Sequence, residues 1–247
     1  MAQELSIELA STLAERAGTR SLGALLDEPR EGPHGSHAGN LLFMHGAGLD
    51  RRGAFMEAFA TAWCDRGWRV LRFDQPYMQR AHDEGRRRPP DRMPVLLAAT
   101  RAALAFAQEQ FGGTWCLAGK SMGARIATLI AADEPDVFAN TNRSGIRGVL
   151  ALGYPVHPPT EPQELRVAHF PRIGVPLFVA QGTRDPFGSA AELAPHLANI
   201  ATPNELFTVD GGDHDFDVLA RLRRSQADVV NDVVDRSVQF LLHHARP

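Results

Sequence analysis

Hydrophobic positions along this chain change between alternation, short unbroken runs and a helical period. Leu5, Ile7 and Leu9 alternate with polar residues, which predicts a strand, and the apolar run Leu22 to Leu26 predicts its partner. Glu28 to Asn40 is rich in Gly, Pro and His and predicts a loop. Asn40 to Met44 is mostly apolar, as a parallel strand buried on both faces would be. Ala54 to Arg66 reads as a helix, because Phe55, Phe59 and Trp63 recur at four-residue steps on one face. Gly67 closes it, and Trp68 to Phe73 is the next strand. Asp74 to Pro94 shows no such period and is Pro-rich, which predicts a long loop, functional or disordered.

The second half repeats the alternation of elements. Val95 to Phe111 is an Ala-rich helix ended by Gly112-Gly113. A strand from Trp115 and a helix to about Ala132 follow. Ile146 to Leu152 is a strand, Gly153 to Ile173 a Pro-rich excursion, and Pro176 to Gln181 a strand. Ser189 to Ile200 is helical, Leu206 to Val209 is the last strand, and the final helix runs from about Ser225 to His244. There is no internal repeat. Strands alternating with helices predict an α/β fold: a mainly parallel central sheet of about seven or eight strands with helices on both faces. One domain spanning 1–247, with a minimal cap, is the expectation.

In such sheets the site lies at the C-terminal ends of the strands. Four groups of chemically useful residues follow strands directly: His45-Gly46-Ala47-Gly48, Ser121, Asp185 and His214. Ser121 is the centre of Gly119-Lys120-Ser121-Met122-Gly123, between an apolar run and an Ala-rich helix, the sequence form of a nucleophile elbow. A serine hydroxyl is a weak nucleophile that must stand where a base can reach it. A tight strand-to-helix turn puts it there, and glycines on both sides let strand and helix approach. The helix start aims N–H groups and a positive dipole end at developing negative charge.

Composition narrows the class. At 247 residues with 44% hydrophobic residues, the chain can bury a large core. The net charge of -3 and a pI near 6.4 argue against a nucleic-acid binder or a membrane-surface protein. Almost all the basic residues are Arg, which reads as a compositional bias of the source. The two cysteines, Cys64 and Cys116, have no metal-like spacing, and Cys116 reads as a small buried hydrophobe. Met1 to Leu5 has no signal-peptide features, and no apolar run reaches the ~18 residues of a membrane span. A cytoplasmic protein is the expectation.

On these residues the chain resembles the α/β-hydrolase superfamily over essentially its whole length; the chain order Ser121, Asp185, His214 is the order that superfamily uses. More narrowly it is similar to small, minimally capped hydrolases related to dienelactone hydrolase. The Gly-Lys-Ser-Met-Gly elbow, the His-Gly-Ala-Gly loop and the Arg-Arg-Arg-Pro-Pro-Asp segment resemble a bacterial group of predicted hydrolases. That group has eukaryotic relatives in chromatin-regulatory complexes. Dienelactone hydrolases carry cysteine at the elbow, so Ser121 argues against that activity.

The resemblance implies roles. Ser121 is the nucleophile, His214 the general base and then acid, and Asp185 the group that fixes the imidazole tautomer. Asp210, Asp213 and Asp215 lie too near His214 in sequence to reach its Nδ1. The backbone N–H groups of Met122 and Ala47 are the oxyanion donors. His45 braces its loop, and with Gly46, Tyr77, Met78, Tyr154 and His157 it is expected near the pocket. Lys120 either tunes the site electrostatically or points to solvent, and solvent is the expectation; Arg86-Arg87-Arg88 is expected as a solvated or internally paired cluster, the alternative being attraction of an anionic substrate to the site mouth. The expected activity is cleavage of an ester or thioester of a small acyl substrate through a covalent acyl-enzyme, with no cofactor, no metal, no nucleic acid and no membrane partner. The alternative is a non-catalytic protein-interaction module on the same fold.

Overall fold

The structure, a computed structural model, describes residues 2–29, 37–132 and 146–245. Residues 30–36 of the expected loop after Asp27 lie outside the described residues. Contacts between Cα atoms group the chain into two compact units, divided after Leu117.

The first unit holds β1 (Gln3–Glu8), α1 (Ser11–Ala17), β2 (Ser21–Asp27), β3 (Gly39–Met44), α2 (Ala54–Cys64), β4 (Trp68–Phe73), α3 (Pro76–Glu84) and α4 (Met93–Phe111). β1 pairs antiparallel with β2, Leu5 opposite Ala24, and β2 pairs antiparallel with β4. β3 and β4 are parallel, Leu41 opposite Val70. Leu41 to Met44 are all inaccessible to solvent, as a continuous apolar run in a parallel sheet requires. The aromatic face of α2 is the expected one: Phe59 and Trp63 are buried, and Trp63 meets Phe43 of β3 edge-on at 5.0 Å.

The second unit starts within β5 (Trp115–Lys120) and continues through α5 (Met122–Ala131), β6 (Ile146–Leu152), β7 (Leu177–Gly182), α6 (Ala190–Leu197), β8 (Asn204–Val209) and α7 (Gln226–His244). β6, β7 and β8 are parallel neighbours. α6 and α7 begin with reciprocal caps, Ser189 with Glu192 and Ser225 with Asp228. α7 buries Val230, Val233, Val234, Val238 and Leu241 at helical spacing. Among the described residues the eight strands form one sheet in the order β1-β2-β4-β3-β5-β6-β7-β8, mostly parallel. The expected α/β class is therefore the observed one.

Two elements differ from the sequence-based expectation. α1 is an additional helix: it has seven residues, no side-chain cap and only Leu13 and Ala17 buried, so it leaves no apolar period. Asp74 to Pro94 is not one long loop, because Pro76 to Glu84 is the helix α3. Proline at a first helical position loses no hydrogen bond, so Pro76 opens the helix instead of breaking it. Only Pro76 and Tyr77 of α3 are buried, so periodicity does not reveal it.

Candidate active site

β5 is buried at all six positions and ends at Lys120; α5 starts at Met122. Ser121 turns the chain between them with φ 53 and ψ -111. A left-handed φ on a residue other than glycine costs on the order of 1–3 kcal/mol, so the surroundings must impose it. The Ser121 N–H donates to the Leu152 carbonyl at the end of β6, 2.9 Å away. A methyl on Gly119 would lie 2.2 Å from the Gly123 carbonyl carbon and 2.4 Å from the Ala124 nitrogen. Only glycine lets α5 fold back so tightly onto β5.

Asp185 follows β7, and its carboxylate is fully shielded from solvent. Oδ1 accepts the Phe187 N–H at 2.8 Å, and Oδ2 accepts Gln181 Nε2–H at 3.0 Å. His214 follows β8. Its loop is braced by Asp213 Oδ1, which accepts the N–H groups of Asp215 and Asp217, each at 3.0 Å. The Phe187 ring leans on the imidazole at 4.3 Å between centroids. His214 Nδ1 is 2.8 Å from Asp185 Oδ2, and Nε2 is 2.8 Å from Ser121 Oγ. A carboxylate can only accept, so Nδ1 carries the proton and the Nε2 lone pair faces the Ser121 hydroxyl. Hydroxyl, imidazole and carboxylate thus form one hydrogen-bonded chain inside the second unit.

Gln181 is not among the residues singled out from sequence, where it marks only the end of a strand. It is fully buried. Its Oε1 accepts the Tyr154 N–H at 2.7 Å, and its Nε2–H group is shared among Asp185 Oδ2 and the carbonyls of Tyr154 and Gly188. One amide therefore ties the carboxylate to the excursion after β6. A polar residue within a strand buried at every position, four residues before Asp185, is the signal that points to it.

Lys120 corrects an expectation. It is not in solvent but 1% exposed. Its ammonium donates to the His214 carbonyl and lies 3.2 Å from Asp215 Oδ1. Burial pushes its pKa below the ordinary lysine value, while Asp215, Asp185 and Asp213 oppose that shift. β5 has no solvated face, so the side chain at its last position runs inward to the loop carrying His214.

The remaining expected residues divide by unit. Met122 is the first residue of α5, where N–H groups have no intrahelical acceptor. The Tyr154 hydroxyl donates to the Arg166 carbonyl at 2.6 Å, and His157 Nε2 is 3.4 Å from Glu192 Oε1. In the first unit, His45 is fully buried, with Nδ1 2.8 Å from the Gly46 carbonyl and Nε2 accepting the Gln75 N–H at 3.0 Å. Both ring nitrogens hold backbone, and desolvation lowers the pKa, so the ring is neutral. The exposed Ala47 accepts the Tyr77 hydroxyl on its carbonyl at 2.9 Å; Met78 follows on α3, half-buried. Arg86 and Arg88 both bond to Glu84. Among the described residues no cluster of three or more His, Cys, Asp or Glu could hold a metal ion, and no helix is long and apolar enough to cross a membrane.

A family model described as an alpha/beta hydrolase domain matches residues 37–242. Several solved structures share the fold. The dienelactone hydrolase from Anabaena variabilis is 17% identical, with a TM-score of 0.72 over 100% of this chain and 99% of that one. The esterase domain of a Rhodothermus marinus protein is 15% identical, with 0.70 over 100% of both chains. Est1E from Butyrivibrio proteoclasticus is 15% identical, with 0.70 over 96% of this chain and 98% of that one. At such identities the likeness is one of fold.

Proposed function

The chain belongs to the alpha/beta hydrolase family, and from that premise we propose that it is a serine hydrolase cleaving a carboxylic ester or thioester through a covalent acyl-enzyme. The observation that carries this reading is the continuous chain Ser121 Oγ, His214 Nε2, His214 Nδ1, Asp185 Oδ2, with both links at 2.8 Å. Ser121 Oγ attacks the acyl carbonyl as its proton passes to His214 Nε2. Asp185 keeps Nδ1–H in place and stabilises the imidazolium. The Met122 N–H, at the positive end of α5, faces the developing oxyanion. The sequence of the His45 to Gly48 loop makes the Ala47 N–H the proposed second donor. His214 then gives its proton to the leaving alkoxide or thiolate. A water, deprotonated by the same nitrogen, attacks the acyl carbon and releases the acid and free Ser121. No step needs a cofactor. Fold neighbours described as esterases, the Rhodothermus marinus domain and the Pyrococcus furiosus esterase Pf2001, agree with a carboxylesterase reading.

The test is labelling by a fluorophosphonate, wild type beside Ser121→Ala, with the adduct mapped by mass spectrometry. An adduct on Ser121 that vanishes in the mutant is expected, and a screen of short-chain esters and thioesters follows. A folded wild type that takes no label would end the serine-hydrolase reading and favour a binding module on the same fold.

A further inference from the structure

The chain carries 26 Lys and Arg residues, and Lys120 is its only lysine. Where this protein needs a surface cation it uses arginine. The single lysine instead occupies a site without solvent, next in sequence to the proposed nucleophile. Removing an ammonium from water is costly unless it is paired and hydrogen-bonded, so a buried lysine marks a place where that charge does something. A compact ammonium fits where a planar guanidinium fork does not.

The Lys120 ammonium donates to the main-chain carbonyl of His214 and sits 3.2 Å from Asp215 Oδ1. It lies 5.8 Å from the centroid of the Phe216 ring, in the same loop. Gly153, at φ 59, faces the same space from the end of β6. A methyl there would lie 3.0 Å from Lys120 Nζ, 3.0 Å from the His214 carbonyl oxygen and 3.4 Å from His214 Nδ1. A side chain at this position would crowd both residues, so Gly153 leaves Lys120 and His214 the room to meet.

We propose that Lys120 is a positioning residue for the His214 base, holding the base's loop to the nucleophile's strand through the His214 carbonyl. The proposal rests on the serine-hydrolase reading above. Loosening the carbonyl lets the imidazole move relative to Ser121, and a displacement near 1 Å can cost on the order of 10²-fold in rate. Among the charged groups around the ammonium are Asp215 and Asp213 from the same loop and Asp185 after β7.

The experiment measures the second-order rate of Ser121 labelling by a fluorophosphonate, and kcat and KM on an activated short-chain ester, for wild type and Lys120→Met, with thermal melts of both. Lys120→Met is expected to label on the order of 10²-fold more slowly, with the loss in kcat and KM little changed. Labelling and turnover at the wild-type rates overturn the proposal. Should Lys120→Met not fold, the wild type still decides. Protein made with isotope-labelled lysine gives one lysine side-chain resonance, that of Lys120. It should shift when the fluorophosphonate adduct forms on Ser121. A resonance unchanged by the adduct overturns the proposal. A folded wild type that never labels sinks the hydrolase reading, and the role given to Lys120 falls with it. Equal labelling of wild type and Lys120→Met sinks the Lys120 role alone.

Discussion

Two strand-end aspartates use nearly the same parts to different ends. Asp74 follows β4 in the first unit, and Asp185 follows β7 in the second. Both carboxylates are completely shielded from solvent, and each has a histidine beside it: His82 Nε2 at 3.2 Å from Asp74, His214 Nδ1 at 2.8 Å from Asp185. The difference lies in the other partners. Asp74 Oδ2, the oxygen that His82 approaches, also receives the Arg51 guanidinium, and Oδ1 takes the Arg51 N–H at 2.8 Å. Asp185 receives neutral donors, the Gln181 amide and the Phe187 N–H. An arginine on the carboxylate answers its charge, and little is left to support an imidazolium. Amide donors orient the carboxylate and leave its charge for the histidine. The cation of the second cluster, Lys120, is bonded one step away, on the His214 carbonyl and beside Asp215. A histidine beside a buried aspartate is therefore not a catalytic signature by itself. What matters is that no cation sits directly on the carboxylate and that a hydroxyl lies beyond the ring.

That contrast can be broken by mutation, and the largest effect should come from the second cluster. Ser121→Ala or His214→Ala should each lower turnover of an activated ester by about 10⁵- to 10⁶-fold, with the melting temperature little changed. Asp185→Asn should cost about 10⁴-fold in kcat, because the amide presents a donor to Nδ1 and selects the wrong tautomer. Its stability should stay within about 2 kcal/mol of wild type, since an amide fills the same space. Asp74→Ala should do the reverse. It takes the nearest carboxylate from the Arg51 guanidinium, whose side chain is only 10% exposed, and leaves it Glu4 at 3.7 Å, so the loss should approach the roughly 3–5 kcal/mol of a broken buried pair. The fraction that stays folded should still label at Ser121. Urea melts and labelling rates on the same samples separate the two behaviours; a stable, inactive Asp74→Ala would show that the clusters have been assigned the wrong way round.

The amino-acid sequence carries this distinction only in part. Ser121, Asp185 and His214 can be picked out because each follows an apolar run, and a parallel sheet collects strand ends on one edge. The strands are legible for the same reason: unbroken apolar runs as short as β3 and β5 suit a strand covered on both faces. Partners are not legible. Nothing local reveals that Arg51 reaches Asp74, 23 residues on, or that Gln181 rather than any other polar residue orients Asp185. Lys120 is misplaced by sequence reasoning because a lysine at a strand end ordinarily reaches water; its inward course depends on β5 being covered at every position, a tertiary fact. α3 reads as loop because its polar residues conceal the helical period, although Pro76 and Gly85 mark its two ends.

A third histidine isolates what a carboxylate contributes. His169 is more deeply buried than His82 or His214; its Nε2 meets the Thr128 hydroxyl, at 2.9 Å, and its neighbouring charge is Arg125. Burial first and that cation second push its pKa down to about 4 from 6.5. The sign is fixed by linkage. Between these values the unfolded chain binds a proton on this ring that the folded chain refuses, so the folded state loses stability as pH falls from 6.5 toward 4. The loss should reach about 2–3 kcal/mol. His169→Asn cannot titrate, so its stability difference between neutral and acid pH should be smaller than that of wild type by this amount. Urea unfolding of both proteins at the two pH values measures it, and any pH-independent cost of the substitution cancels. Equal acid sensitivity in the two proteins would mean that His169 finds a proton acceptor in the folded state. The lack of a carboxylate partner would then no longer separate it from His214, the proposed base.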